Sequence, residues 1–311
     1  MGETVRSFEE ELAGFLGCRH AVGVNSGTDA LIIALQALGI GPGDEVVTVA
    51  NTFHASALAV LRVGAMLRLV DCRSDDYSMD LDQLEEIVTE KTSAIVAVHL
   101  FGRVLDMDRI VAIGSAVGAR VVEDCAQAIG GITPGGSRAG TIGDVGCLSF
   151  HPSKNLAAAG DAGALVCNDA GTAERARCLR NLGQLEQNRH ERIGMNSKLD
   201  VLQALVLRHK IGRIDRDNQS RRQVATTYSS FLADSGISHP LLTPDADHVF
   251  HLYPIEVAER DRVLSALRSA EIDAVVRYPI PIHRQEAFRG RAPVGLFPCS
   301  DHQAANTLCL P

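Results

Sequence analysis

The chain has 311 residues, of which 46% are hydrophobic and 22% charged. That is the composition of an ordinary globular protein of one large domain or two, and it excludes the disordered, collagenous and coiled-coil classes. Thirty Lys and Arg against 38 Asp and Glu leave a formal charge of −8, and tryptophan is absent; a protein that neutralises a phosphate backbone is normally basic, so nucleic acid is excluded as a bulk partner.

In chain order, Met1–Gly17 is glutamate-rich and has no basic stretch followed by an apolar one, so no signal peptide is expected. Thr4–Leu16 places Val5, Phe8, Leu12 and Phe15 on one helical face. Asn25–Asp29 precedes an Ala/Leu-rich helix at Ala30–Leu38. From Asp44 to Asn168, short β-branched runs alternate with helical stretches, the pattern of βαβ units around a mainly parallel buried sheet. Strands are expected at Glu45–Ala50, Met66–Val70, Ala94–Leu100, Arg120–Glu123, Cys147–Phe150 and Ala164–Cys167, and helices at Phe53–Val63, Leu81–Val88 and Met107–Val117. Asp80 and Gln83 have capping-box spacing at the second of these helices. No apolar run approaches the roughly 18 to 20 residues that span a bilayer, so no membrane partner is expected.

Beyond Asn168 a helix is expected at Thr172–Leu182, then a polar loop at Gly183–Gly194. Ser197–Ser235 has a single interior glycine, Gly212, and predicts one or two long helices whose later arginines form a solvated face. After the His239–Pro240 break comes a small α/β unit: strand His251–Val257, helix Asp261–Ala270 and strand Ala274–Arg277. The domain boundary is placed at Gly212, giving units 1–212 and 213–311. The eight cysteines never form a C-x-x-C pair and mostly lie in apolar runs, so they are expected to be reduced and buried in a cytosolic protein.

Chemistry is concentrated at element ends. Ser26, Gly27 and Thr28 open a helix whose first N–H groups suit an anion, although Ser-Gly-Thr is also an ordinary cap. Asp124 ends a strand at the carboxyl edge where α/β sheets present ligand groups, and could pair with a cationic ring nitrogen, ligate a metal or cap a turn. Ser149 ends another strand, five residues before Lys154, which lies in a small-residue turn where a desolvated amine gains the lowered pKa that Schiff-base chemistry needs. Gly39–Gly43 precedes a strand instead of following one and is a turn, not a dinucleotide fingerprint. His248 and His251 lack a third ligand nearby, so no metal site is expected. His99 and His151 lie near the predicted site without assigned roles, and His283 likewise has none.

A helix start for phosphate, a strand-end aspartate and a serine ahead of a lysine, in this order, match the pyridoxal phosphate (PLP) site of fold type I enzymes. The chain resembles the DegT/DnrJ/EryC1/StrS family of PLP-dependent sugar aminotransferases over nearly its whole length. The resemblance is carried by Asn25–Leu31 (NSGTDAL), Gly41–Val46 (GPGDEV), Ala50–Phe53 (ANTF), Val98–Gly102 (VHLFG), Glu123–Gln127 (EDCAQ), Ser149–Asn155 (SFHPSKN), Gly160–Gly163 (GDAG), Gly194–Asp200 (GMNSKLD) and Tyr278–His283 (YPIPIH).

The resemblance implies an α/β fold type I PLP-transferase with a seven-stranded type of sheet and a small C-terminal α/β domain. It implies that Lys154 forms the Schiff base and shuttles protons, that Asp124 keeps the ring nitrogen protonated, that Gln127 bonds the ring hydroxyl and that Phe53 stacks on the ring. Gly27, Thr28 and Ser149 would hold the phosphate, and Asn196 would reach the phosphate of a neighbouring subunit, which implies a homodimer with shared sites. Phe53 as plain core and Asn196 as a helix cap are the alternatives.

The implied reaction passes an amino group from L-glutamate through PLP and PMP to a nucleotide-linked ketosugar, closest to a dTDP-3-keto-6-deoxyhexose. The expected pathways lead to deoxyaminosugars of antibiotics or surface polysaccharides. A 4-ketosugar or cyclitol ketone is the alternative substrate. The family usually extends before the helix near Thr4 and beyond Pro311, so a shortened, inactive partner subunit is the alternative of another class. A sugar dehydratase of this family would replace the lysine, and Lys154 is present.

Overall fold

The computed structural model describes residues 2–237, 247–291 and 295–311; the His239–Pro240 break lies outside them. The elements are α1 (Glu3–Leu16), β1 (His20–Val24), α2 (Gly27–Ala37), β2 (Glu45–Val49), α3 (His54–Arg62), β3 (Met66–Val70), α4 (Leu81–Ile87), β4 (Thr92–Val98), α5 (Met107–Val117), β5 (Arg120–Asp124), β6 (Val145–Ser149), β7 (Gly163–Cys167) and α6 (Ala170–Leu179). There follow a hairpin of β8 (Gln184–Glu186) and β9 (Arg189–His190), then α7 (Val201–Ile211), α8 (Ile214–Leu232), β10 (Tyr253–Glu256), α9 (Arg260–Ser269), α10 (Pro298–Asn306) and β11 (Thr307–Leu310).

Seven strands form one sheet in the order β1-β7-β6-β5-β4-β2-β3, in which β7 alone runs against both of its neighbours. Both faces are covered: along β7, Leu165 and Cys167 join one core while Ala164 and Val166 join the other, as the two-residue strand period requires. The first core packs β1–β6 against α2 and α3; the second packs the sheet against α1 and α7. The α1 stripe behaves as expected at Val5, Phe8 and Leu12, with Phe8 edge-on to Phe150 at 5.6 Å. Phe15 instead lies under the Arg138 guanidinium, 4.3 Å from the ring centre. A buried ion pair locks this layer: Arg180 donates to Glu9 and, at 2.6 Å, to the Gly23 carbonyl, while Glu9 accepts the Gly23 N–H at 2.8 Å.

Several expectations are corrected. Strand β1 was absent from them because its five residues include Gly23, where a Cβ would meet the Leu199 side chain at 2.8 Å, so close packing needs a residue of poor strand propensity. Ala274–Arg277 is not a strand: Val275 makes one bridge to Cys309, and β10 pairs with β11 instead. Of the one or two long helices expected, there are two, α7 and α8, meeting at Gly212–Arg213; what is corrected is Arg221, which leaves the solvated row to donate to the Phe250 carbonyl. The Gly183–Gly194 loop contains a hairpin. The capping box is half formed: Asp80 accepts the Asp82 and Gln83 N–H groups, but the Gln83 side chain turns to the Asp71 N–H.

A third core gathers Ala225, Phe250, Tyr253, Ile255, Val257, Ala274 and Leu308, while Ile282, Phe288, Phe297 and Cys309 pack into the first. All eight cysteines are free, and six are buried. Among the described residues no helix is long and apolar enough to cross a membrane.

Candidate active site

The carboxyl ends of β4, β5 and β6 deliver His99, Asp124 and Ser149 to one region, where the first turns of α2 and α3 also begin. The α2 start is capped by Ser26, whose Oγ accepts the Asp29 N–H at 3.1 Å. It lies flat on the end of β6: a Cβ on Gly27 would come within 2.7 Å of the Ser149 Cβ. Only glycine permits this approach, which brings the free N–H groups of the first turn beside the Ser149 hydroxyl. Asp29 accepts from Ser197 Oγ at 2.6 Å, and that oxygen accepts the Asn25 N–H at 3.1 Å, so the Gly194–Asp200 stretch buttresses the turn.

A cavity of about 410 Å³ opens here. Gly27, Thr28, Phe53, Asp124, Gln127, Ser149 and Lys154 all line it. Asp124 is 6% exposed; its Oδ2 accepts from Ser56 Oγ at 2.8 Å and its Oδ1 from the Ala126 N–H at 3.1 Å. Lys154 sits in a turn closed by its own N–H on the His151 carbonyl at 2.8 Å. Burial pulls its pKa below the usual lysine value, the Asp124 carboxylate partly restores it, and Arg277 adds to the lowering. No hydrogen-bond partner of its amine is found among the described residues.

Phe53 is 43% exposed and lies 5.3 Å from the Tyr278 ring, so it is a cavity wall and not plain core. Gln127 is held at both ends: its Oε1 accepts the Phe101 N–H at 2.5 Å and its Nε2 donates to the Tyr278 hydroxyl at 2.8 Å. Burial pushes Tyr278 up to about 12, so its O–H stays protonated.

At the base of the cavity, which His99 lines, Glu123 and His99 are fully buried. Glu123 Oε1 accepts the Ile142 and Gly143 N–H groups at 2.8 and 2.7 Å, and Oε2 accepts Gly140 N–H at 2.8 Å and His99 Nε2 at 3.1 Å. Burial alone would raise the Glu123 pKa, but the His99 contact and the Gly143 and Gly140 amides outweigh it and hold the carboxyl below its ordinary 4.5. His99 Nδ1 accepts the Leu105 N–H at 3.1 Å, so Nε2 carries the proton. His99, Glu123 and Cys125 lie close enough to suggest a metal, yet both imidazole nitrogens are already used and burial keeps the Cys125 thiol protonated; the cluster is structural.

His151 lines the cavity, with Nδ1 held by Ser153 Oγ at 2.9 Å. His283 does not; it contacts Asp301 at 3.0 Å and leans on Phe297. Asn196 also lies away from the cavity, exposed, accepting from Lys198 Nζ at 2.8 Å. It does not cap α7, because Asp200 does. Sequence reasoning gave no role to His251, Arg277 and Tyr278, which reach the cavity from the far end of the chain. The YPIPIH motif was the one available signal, for Tyr278. His251 donates from Nδ1 to Asn155 Oδ1 at 3.1 Å, since the Asn155 amide is spent on Asn218 and the Val249 carbonyl. Burial, reinforced by the Lys154 charge, keeps it neutral.

The family model described as the DegT/DnrJ/EryC1/StrS aminotransferase family matches residues 1–311. The chain belongs to this family. It is 43% identical over 311 residues to the UDP-N-acetyl-3-dehydro-alpha-D-glucosamine 3-aminotransferase of Acidithiobacillus ferrooxidans, covering 100% of this chain and 84% of that protein. To the dTDP-3-amino-3,4,6-trideoxy-alpha-D-glucose transaminase of Streptomyces venezuelae it is 42% identical over 313 residues, covering 100% and 82%. The crystal structure of S. venezuelae DesV superposes with a TM-score of 0.96 at 42% identity, over 100% of this chain and 84% of that one. Bacillus subtilis NtdA with bound PMP superposes with a TM-score of 0.91 at 33% identity, over 100% and 73%.

As a DegT-family member the protein is a PLP-dependent aminotransferase with a fold type I architecture. Its own residues fit that cofactor. The cavity joins a helix start suited to an anion, a carboxylate, an aromatic wall and a partly desolvated lysine amine with no partner among the described residues.

Proposed function

We propose that the protein transaminates a nucleotide-linked ketosugar, a dTDP-3-keto-6-deoxyhexose, with L-glutamate as amino donor, in deoxyaminosugar biosynthesis in the cytosol. The observation that carries the reading is the shared cavity of Lys154 and Asp124 against the Gly27–Ser149 cradle. The sugar class is supported by the relatives at 42–43% identity, whose names give UDP- and dTDP-linked 3-aminosugars.

When bound, PLP supplies the carbonyl that takes up an amino group and the electron sink that lets it be passed on. Gly27 and Thr28 N–H groups and the Ser149 hydroxyl bind the phosphate. Asp124 holds a proton at the ring nitrogen by charge. Phe53 covers one ring face and Gln127 meets the ring hydroxyl. Lys154 Nζ would hold the cofactor covalently and, once released, would carry protons to and from the reacting carbon, a role that the downward direction of its pKa favours. Asn196, exposed beyond the hairpin, reaches the phosphate of a second copy in a homodimer. Residues 1–212 act as the cofactor-binding unit and 213–311 as the smaller unit that contributes Tyr278, Arg277 and His251 to the mouth.

The test is the visible spectrum of the purified holoprotein before and after L-glutamate. The expected result is a bound chromophore that converts to the PMP absorbance, and reverts when a dTDP-3-ketosugar is added. A protein with no chromophore, or one that no amino donor changes, contradicts the reading and favours an inactive partner subunit. Reversion with a 4-ketosugar or a cyclitol ketone but not with the 3-ketosugar corrects the substrate.

A further inference from the structure

The carboxylate of Asp124 is served by two side chains outside the family-like motif in which it lies. Ser56 stands in the first turn of α3 and is fully buried; its Oγ is 2.8 Å from Asp124 Oδ2. The Phe53 carbonyl is a poorer acceptor for the same hydroxyl, at 3.5 Å. Thr52 is 2% exposed, and its Oγ1 is 3.1 Å from Ser56 Oγ.

Proton counting fixes the direction. An ionised carboxylate only accepts, so the single Ser56 proton goes to Asp124, and the Thr52 proton is then the one that serves Ser56. Both hydroxyls therefore point toward the carboxylate. The Ala126 N–H on Oδ1 completes the set, and the charge also rests against the start of α3, where the helix dipole favours an anion.

The geometry points to Ser56, backed by Thr52, as a positioning residue for the cofactor ring. By donating to Asp124 it keeps that carboxylate aimed at the ring nitrogen, and so supports the proton held there. This rests on the reading of Asp124 as the partner of that nitrogen. Hydrogen bonds to the charged form favour it, and a charge-assisted bond of this kind is the stronger class. Without Ser56, the buried carboxylate keeps one of its two donors among the described residues, the Ala126 N–H, and its charge is aimed less firmly at the ring nitrogen.

The test uses holoprotein loaded with PLP labelled with ¹⁵N in the ring, comparing wild type with Ser56→Ala, Thr52→Val and Asp124→Asn. Wild type should show the pyridinium ¹⁵N shift. Asp124→Asn should move it fully toward neutral pyridine, Ser56→Ala should move it part of the way, and Thr52→Val less far in the same direction. The half-reaction with amino donor should slow by about tenfold or more in Ser56→Ala, the size expected for one lost bond to a charged group. A Ser56→Ala protein that keeps the wild-type ¹⁵N shift while Asp124→Asn loses it overturns the role of Ser56 and leaves that of Asp124 standing. An unchanged shift in Asp124→Asn overturns both.

Discussion

The floor and the mouth of the cavity are built on opposite terms. On the floor, Glu123 accepts four donors, both nitrogens of His99 are used, and Asp124 is held by Ser56 and Ala126. At the mouth, the Lys154 amine has no partner among the described residues, Phe53 is 43% exposed and His151 is exposed. Buried polar groups must be paired to be tolerated, whereas groups that meet a ligand must keep their bonding capacity open until it arrives. Stability is therefore concentrated on the floor of the cavity, and reactivity at its mouth.

The largest effect that would break this contrast is at the mouth. Lys154→Ala should lower transamination by about 10⁴-fold while changing folding stability by less than about 0.5 kcal/mol, because the amine supports nothing in the fold. A large loss in urea unfolding would show that Lys154 is structural. On the floor the expectation is reversed in kind. Glu123→Gln should cost about 3 kcal/mol of stability, since an amide turned toward three backbone N–H groups and His99 leaves donors unmatched. A wild-type unfolding midpoint would contradict this pairing.

Between the two lies Gly27. Its replacement by alanine forces a Cβ to within 2.7 Å of the Ser149 Cβ. PLP affinity of the apoprotein should fall by about tenfold or more, measured by cofactor titration, as expected for a strain of 1–3 kcal/mol placed in the phosphate cradle. Unchanged affinity would remove the cradle from the account.

The effect that is smallest at neutral pH, and grows only on acidification, concerns His248, fully buried, with Nδ1 accepting the Phe250 N–H and Nε2 without a partner among the described residues. Burial, helped by the Arg103 and Arg222 charges, lowers its pKa from 6.5 to about 3. The unfolded chain takes up this proton below pH 6.5 and the folded one does not until about 3, so stability should fall with pH across that window, by at most about 1.4 kcal/mol per pH unit. Glu123 adds a loss of the same sign below 4.5, where the unfolded carboxyl protonates first. His248→Phe should flatten the slope between pH 6.5 and 4.5; an unchanged slope would place the acid sensitivity elsewhere.

Much of this division could be read from the sequence where a chemical group stands at the end of a periodic element. Asp124, Ser149 and the α2 start were legible because strand and helix periodicity locates element ends, and parallel sheets present ligands there. Lys154 was legible from its small-residue turn. The network of the floor was not: Ser56 meets Asp124 across 68 residues, and nothing in HAS at the start of α3 distinguishes a buried hydroxyl donor from an ordinary helix serine. Arg277, Tyr278 and His251 were hidden for a related reason. They are held at the cavity by contacts between distant chain segments that no local pattern encodes: Val275 bridges Cys309, the Ile282 N–H meets the Ala50 carbonyl, and the Val249 N–H meets the Gly102 carbonyl. Asn196 was legible as a motif residue, and the structure leaves it exposed and away from the cavity, bonded to Lys198.

The central claim, that Lys154 is the group poised for the cofactor, is tested most directly by chemical trapping. Holoprotein reduced with borohydride, digested and analysed by mass spectrometry should carry the pyridoxyl phosphate mass on the peptide containing Lys154, with none on Lys198 or Lys210. A modified peptide that lacks Lys154, or no modified peptide from a protein that retains its chromophore, would contradict the account.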